Sequence, residues 1–152
     1  MSDADFAKDP LASNSVSGVC SFIASNLVGW SSCKQTRVAQ STCEAEALSC
    51  LDGINELEYL GDLLRELKLD DSLKAPSTVF NDNQGCLASV EDGGAFKRNK
   101  HYRIRLNRCR AAVREGLCAF KYRPTSEMTA DGLTKQLDLQ TIFAVLEFCK
   151  PF

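Results

Sequence analysis

The chain has 152 residues, of which 44% are hydrophobic and 25% charged, and its formal net charge is −2. These values are typical of a soluble globular protein and predict a single domain over residues 1–152. A run of about 18 apolar residues is absent, which argues against a membrane span, and the N-terminal residues do not resemble a secretory signal.

Eight cysteines and one histidine bear on metal and redox chemistry. No two cysteines are spaced as C-x-x-C, and the histidine is His101, so the sequence does not favour a zinc site. The cysteines stand among apolar residues. Without a secretory signal, we expect reduced and buried thiols rather than a disulfide framework.

The N-terminal half predicts three strands and then a long helix. Residues 2–7 begin as a strand, and residues 16–35 alternate over two strands joined by a turn, so we expect antiparallel pairing. A lone strand tryptophan such as Trp30 is expected to pack in the core. Residues 42–67 carry leucines at helical spacings, with Thr42 as the expected N-cap.

The C-terminal half alternates helices with strands. The predicted elements are a strand entering a turn over 77–85, a short helix through Val90, a basic helix over 102–115, a strand over 117–123, a helix from Thr125 or Ser126 to about Leu137, and a last helix over 139–149. Summarised as β-β-β-α-β-α-β-α, the order predicts an α/β or mixed α+β fold with a mixed sheet.

The charges are unevenly distributed along the chain. Residues 97–123 contain ten basic residues and one acid, for a segment charge of +9, which leaves −11 for the remainder. A basic segment within an acidic protein indicates a polyanion contact beside a group that needs carboxylates. A solvated helix face is an equally good interpretation of the charge alone.

Four carboxylates stand at positions where we expect an acid to have a functional role. They are Asp3 in the first strand, Glu44 in the first turn of the long helix, Asp82 at the end of the fourth strand and Asp131 in a C-terminal helix. Asp82 and Asp131 also have ordinary interpretations. Asp82 fits an Asx-turn or an N-cap, and Asp131 fits a surface acid.

Helical geometry separates Glu44 from its neighbour Glu46. At about 100° per residue, Leu48 and Leu51 lie about 40° and 20° from Glu44, whereas Glu46 lies about 160° away. Glu44 is therefore expected to point with the leucines towards the sheet, and Glu46 away from it. A core-facing carboxylate must be paired or hold a metal, although a helix-dipole acid is the alternative for Glu44.

Several motifs occur in a fixed order along nearly the whole chain. They are SDADFAKDP (2–10), SVSGVCSF (15–22), LVGWSSCKQTRVAQSTCEAEA (27–47), NDNQ (81–84), KHYRIR (100–105) and YRPTSEMTADGLTKQL (122–137). Together they resemble the ribonuclease H domain of copia-type LTR retrotransposon Pol polyproteins. The resemblance implies a ribonuclease H-like fold, which is a five-stranded mixed sheet flanked by helices, with its first strand shortened in this chain.

The resemblance also implies an activity, a metal site and partners. The activity is two-metal hydrolysis of the RNA strand of RNA–DNA hybrids during reverse transcription. The implied ligands of two Mg²⁺ ions, or of Mn²⁺ in their place, are Asp3, Glu44, Asp82 and Asp131. A reverse transcriptase domain is expected upstream in the same polyprotein, and the expected location is the cytoplasm, within a virus-like particle, or the nucleus, without secretion.

Two groups of residues are candidates for contacts with the hybrid. Short polar side chains near the site can read a 2′-hydroxyl, and basic side chains can follow the phosphate backbone. The candidates are Ser41, Thr42, Asn83 and Gln84 for the polar group, and Lys97, Arg98, Lys100, Arg103 and Arg105 for the basic group.

Two other functions remain open from the sequence. A ribonuclease H-like module without catalysis would bind nucleic acid or support a neighbouring polymerase domain. An integrase-type transferase would share the fold, but it usually needs a glutamate on a late helix, where this chain offers Asp131.

Overall fold

The computed structural model describes residues 1–9, 11–69, 76–91 and 102–135. Its elements are β1 (Ser2–Asp5), β2 (Val16–Ile23), β3 (Asn26–Lys34), α1 (Thr42–Glu66), β4 (Ser77–Asn81), α2 (Gln84–Glu91), α3 (Arg103–Arg114), β5 (Cys118–Tyr122), and two 3₁₀ helices at Thr125–Glu127 and Thr129–Leu133. The predicted mixed α/β class is confirmed. Within the described ranges, no helix is long and apolar enough to cross a membrane.

Within the part of the chain that the structure describes, the five strands form two sheets rather than the single five-stranded sheet that was predicted. Strands β1, β2 and β3 are antiparallel neighbours in that order, with Asp3 opposite Gly18, and β4 pairs with β5 in parallel. The Asn81 side chain joins the two sheets, because its Nδ2 donates to the backbone oxygen of Ser2 at 3.1 Å. This bond brings the end of β4 beside the start of β1.

The β2–β3 hairpin is confirmed, but the placement of its tryptophan in the core was wrong. Ala24 and Ser25 form the turn with positive φ angles of 48° and 66°, as a two-residue hairpin turn matched to the strand twist requires. Trp30 lies opposite Cys20 and is 70% exposed, whereas Cys20 is buried. Cross-strand partners lie on the same face of the sheet, so the residues that bury Cys20 on β2 do not extend over Trp30 on the outer strand β3.

The N-cap of helix α1 lies one residue before the predicted cap, Thr42. Ser41 is the N-cap, because its side-chain oxygen accepts a hydrogen bond from the Glu44 backbone N–H at 3.2 Å, and Thr42 is the first helical residue. The helix then runs to Glu66, close to the predicted end.

The face of α1 that meets β1 consists of small residues rather than leucines. Ser49, Cys50 and Gly53 are all buried, and a Cβ atom at Gly53 would lie 3.6 Å from the Cβ of Ser2. Small side chains let the helix approach the strand closely. Leu51, in contrast, packs against the cluster that contains residues of α3.

The larger core cluster lies between α1, β4 and the helices α2 and α3. Its buried members are Ala47, Cys50, Ile54, Val79, Cys86, Val90, Tyr102, Leu106, Cys109, Ala112 and Cys118. Four of the eleven are cysteines, so the prediction that thiols act here as small apolar groups is confirmed for these positions. Cys33 is an exception because it is exposed on β3.

Residues 124–135, which we call the C-terminal strap, contain the two 3₁₀ helices and not the longer helix that was predicted to start at Thr125 or Ser126. Neither 3₁₀ helix has a side-chain N-cap. Met128 and Ala130 of the strap pack with Cys20 in a second buried cluster. The predicted helix over 139–149 lies outside the described residues.

Candidate metal centre

Three carboxylates from different elements converge beside the junction of the two sheets. Asp3 comes from β1, Glu46 from the second turn of α1, and Asp82 from the residue after β4. Each offers an oxygen, and these atoms all lie within 4.8 Å of one another. Asp3 and Glu46 are only 4% and 6% exposed. We call these three residues the acid trio. Among the described residues, no other group of acids, cysteines or histidines is arranged so that it could hold a metal ion.

A hydrogen-bond donor holds one oxygen of each carboxylate in the acid trio. The hydroxyl of Thr134 donates to Asp3 Oδ2 at 2.7 Å, and the amide of Asn81 donates to Glu46 Oε2 at 2.8 Å. The hydroxyl of Thr125 donates to Asp82 Oδ2. Donors of this kind orient carboxylates in metal sites. Two of the three donors belong to the C-terminal strap, so the strap helps to set the orientation of the Asp3 and Asp82 carboxylates.

Burial of these acids changes their protonation. Desolvation raises the pKa of Glu46 to about 9, against the hydrogen bond from Asn81 and with help from the charges of Asp3 and Asp82. Desolvation also raises the pKa of Asp3 to about 6, against the hydrogen bond from Thr134. Without a cation, Glu46 therefore retains its proton at neutral pH.

The expectation that Glu44 points to the sheet and Glu46 away from it was wrong. The Glu44 carboxylate accepts from the Gln40 backbone N–H at 2.9 Å and lies 2.9 Å from Nη1 of Arg105 on α3. Glu44 thus closes the N-terminus of α1 and joins it to α3. It is Glu46, one turn before Cys50 on the small-residue face, that reaches Asp3 and Asp82.

Asp131 lies close to the trio without belonging to it. Its charge raises the pKa of Asp3, which shows that the two carboxylates interact, but its Oδ1 lies 2.5 Å from Nζ of Lys135. Asp131 sits in the second 3₁₀ helix of the strap. Of the four acids chosen from the sequence, Asp3 and Asp82 lie together in the trio. Asp131 lies beside the trio and pairs with Lys135, whereas Glu44 pairs with Arg105.

Much of the described basic segment is engaged within the protein. Arg105 cannot serve as the predicted phosphate contact while it pairs with Glu44, since the two side chains are only 15% and 7% exposed. Arg108 pairs with Glu58, Arg110 donates to backbone oxygens of α2, and Arg123 lies 4.9 Å over the Phe80 ring. These cations hold α3 and the end of β5 to their neighbours.

The remaining nucleic-acid candidates differ in their availability. Ser41 caps α1, and the Asn83 side-chain oxygen accepts from the Cys86 backbone N–H at 2.8 Å, so both have structural roles. Thr42, Gln84 and Arg103 are exposed. The predicted contacts Lys97, Arg98 and Lys100 lie outside the described residues.

The donor set of the acid trio fits Mg²⁺. All three groups supply carboxylate oxygen, which hard divalent cations prefer over nitrogen or sulfur. Desolvation raises the pKa values of Asp3 and Glu46, so a further positive charge beside them would favour their ionised forms. A bound cation would supply that charge, with Asp3, Glu46 and Asp82 as its protein ligands.

We expect the metal-free protein to lose stability as pH rises from about 5 to about 9. The folded-state pKa values of Asp3 and Glu46 are about 6 and about 9, against ordinary values of 3.8 and 4.5. In that window the folded chain keeps protons that the unfolded chain has released, so the free energy of unfolding falls with pH. Thermal unfolding in EDTA, followed by circular dichroism, measures the trend.

The variant Glu46→Gln provides the control for this pH dependence. It removes the group with the larger shift and keeps an oxygen to accept from Asn81. Its melting temperature should vary less with pH than that of the wild type. Equal pH slopes for the two proteins would contradict the role given to Glu46.

Comparisons with known proteins place the chain in a retroelement context. Over 136 residues, 90% of its length, it is 32% identical to the Retrovirus-related Pol polyprotein from transposon RE2 of Arabidopsis thaliana, and it has the same identity and coverage with that from transposon RE1. With the corresponding polyprotein from transposon TNT 1-94 of Nicotiana tabacum, identity is 29% over 133 residues. No family model and no solved structure matches the chain.

The extent of the match limits what it establishes. The chain spans only 9–10% of the length of these curated relatives. It is therefore similar to one region of a retrotransposon Pol polyprotein, which supports a retroelement-related function.

Proposed function

We propose that this protein is a metal-dependent endoribonuclease that hydrolyses the RNA strand of RNA–DNA hybrids. The observation that carries the proposal is the convergence of Asp3, Glu46 and Asp82, with oxygens within 4.8 Å of one another, at the junction of the two sheets. The similarity to transposon Pol polyproteins supports a hybrid as substrate, because copying RNA into DNA produces one.

The chain's own residues would prepare the site for phosphodiester hydrolysis. Asp3, Glu46 and Asp82 would hold the cation, and Thr134, Asn81 and Thr125 keep those carboxylates oriented. When bound, divalent ions supply Lewis-acid activation of water and charge stabilisation at the leaving 3′ oxygen. In-line attack of water on phosphorus with cleavage of the P–O3′ bond leaves a 5′-phosphate and a 3′-hydroxyl.

Exposed residues at the ends of elements next to the trio would bind the substrate. Thr42 begins α1 four residues before Glu46, and Gln84 begins α2 two residues after Asp82. Hydroxyl and amide groups can recognise the 2′-hydroxyl and base edges of RNA, and Arg103 at the start of α3 can contact a phosphate. Binding through phosphate should weaken as salt rises.

The experiment that tests this proposal is cleavage of an end-labelled RNA–DNA hybrid in Mg²⁺. We expect the RNA strand of the hybrid to be cut, with little cutting of a DNA duplex of the same sequence, and no cutting in EDTA. Asp82→Asn should abolish the activity, because it removes a charged ligand from the trio. Products ending in 3′-hydroxyls exclude contaminating metal-free ribonucleases, which leave 2′,3′-cyclic or 3′-phosphate ends.

The same assay evaluates a nucleic-acid-binding module without catalysis. The position of Asp131, paired with Lys135 and outside the trio, is the observation that favours this second function. Such a module would bind the hybrid in a salt-sensitive manner, would not require Mg²⁺, and would not cut. Equal cleavage by the wild type and Asp82→Asn would also contradict the proposed nuclease.

A further inference from the structure

Lys135, at the end of the C-terminal strap, carries a positive charge close to the acids of the candidate metal centre. Its Nζ lies 2.5 Å from Oδ1 of Asp131, and the charges of Asp3 and Asp5 also act on the ammonium group. The Lys135 side chain is 43% exposed. Its ammonium can therefore leave the carboxylate for solvent without rearrangement of the strap.

We propose that Lys135 is a positioning residue that acts as a removable counter-ion, and that a divalent cation displaces it from Asp131. The inference rests on the proposed function, because it requires a cation at these carboxylates. In the metal-free protein, Lys135 neutralises Asp131 and keeps it apart from the acid trio. After displacement, Asp131 becomes available to a second ion.

Electrostatics gives the direction of the effect. Two cations repel each other across a shared carboxylate, so the Lys135 ammonium must weaken the binding of a divalent ion at Asp131. The pair joins residues four apart and is partly exposed, and pairs of this kind are weak enough for a divalent ion to displace. Removal of the lysine charge should therefore strengthen metal binding and destabilise the metal-free fold.

The test is calorimetric titration of the full chain with Mg²⁺, comparing the wild type with Lys135→Met. We expect the variant to bind Mg²⁺ about three- to fivefold more tightly, the range set by a weak exposed ion pair. Its metal-free melting temperature should be lower than that of the wild type, and the increase on adding Mg²⁺ should be larger. These readouts do not depend on nuclease activity.

Two further variants separate the charge at this position from general effects. Lys135→Arg keeps the positive charge and should restore the wild-type affinity. Lys8→Met is the matched control, because Lys8 pairs with Asp5 three residues away at 2.7 Å, and it should leave the Mg²⁺ affinity unchanged.

The outcomes distinguish this inference from the proposed function. Unchanged or weaker Mg²⁺ binding by Lys135→Met, equal strengthening by Lys8→Met, or no Mg²⁺ binding by the wild type would overturn the inference. If Lys135→Met binds more tightly but the wild type leaves the hybrid uncut, the inference stands and the proposed nuclease fails.

Discussion

Glu46→Gln is expected to lower hybrid cleavage by more than about 100-fold. Loss of a residue that only orients a metal ligand commonly costs 10–100-fold, so loss of a charged ligand should cost more. The substitution keeps the shape of the side chain and an oxygen for the Asn81 amide. It also removes a buried carboxyl with a pKa of about 9, so the metal-free variant should be more stable than the wild type near pH 8.

Glu44→Gln is the matched control, only two residues away on the same helix. Glu44 is equally buried, but its carboxylate pairs with Arg105 and not with the trio. We expect this variant to lose about 1.5–3 kcal/mol of stability, the usual contribution of a hydrogen bond to a charged group, and to retain cleavage below its melting temperature. Mg²⁺ should still stabilise it.

Single-turnover cleavage and Mg²⁺-dependent melting of both variants decide between the two glutamates. If Glu44→Gln loses cleavage and Mg²⁺ stabilisation while Glu46→Gln keeps both, the metal ligand on α1 is Glu44. Correct folding of each variant can be checked from its circular dichroism spectrum in EDTA.

The second large effect is expected at Gly18, which lies opposite Asp3 under the C-terminal strap. A Cβ atom at this position would lie 2.6 Å from the backbone oxygen of Ala130 and 2.9 Å from Cγ2 of Thr134. Because the nearest atom is backbone, the strap itself must move. Gly18→Val should reduce the free energy of unfolding by about 1–3 kcal/mol, as overpacking usually does.

The strap displacement should also impair the metal centre. Thr134 holds Asp3 and Thr125 holds Asp82, so Gly18→Val should reduce the stabilisation by Mg²⁺ together with the stability itself. Urea unfolding with and without Mg²⁺ measures both quantities.

Gly61→Ala is the control glycine variant. A Cβ there would lie 3.6 Å from Nη2 of Arg65, an ordinary contact within helix α1. Alanine in a helix interior is favoured over glycine by about 1 kcal/mol, so this variant should be somewhat more stable and should respond normally to Mg²⁺. If Gly18→Val behaves like Gly61→Ala, the strap does not need close contact with β2.

The elements that local pattern determines were predictable. Alternation over residues 16–35 predicted the β2–β3 hairpin, and helical spacing over 42–67 predicted α1 within one residue at its C-terminal end. The strap was not predictable in this way. A helix was predicted from Thr125 or Ser126 to about Leu137, whereas residues 125–135 contain two 3₁₀ helices. The side chains of Thr125 and Thr134 in this segment bond to acids distant in the chain.

Selection of the site glutamate shows why the sequence alone was insufficient. The sequence determined that two acids, Glu44 and Glu46, stand at the start of a long helix. It also determined that Asp3 lies in a strand and that Asp82 follows one. Only the tertiary structure decided which acid faces the sheet. The prediction from the helical wheel assumed that the leucines of α1 face the sheet. Strand β1 instead packs against the side of the helix that carries Ser49, Cys50 and Gly53.

The same limit applies to charge and exposure. Composition determined that residues 97–123 are basic, but tertiary contacts determined that Arg105 is buried with Glu44 and that Trp30 is exposed on an edge strand. Periodicity and charge specify what each element can bury or pair with. Close packing between elements distant in sequence selects the contacts that form, because small side chains are needed where a helix and a strand approach most closely.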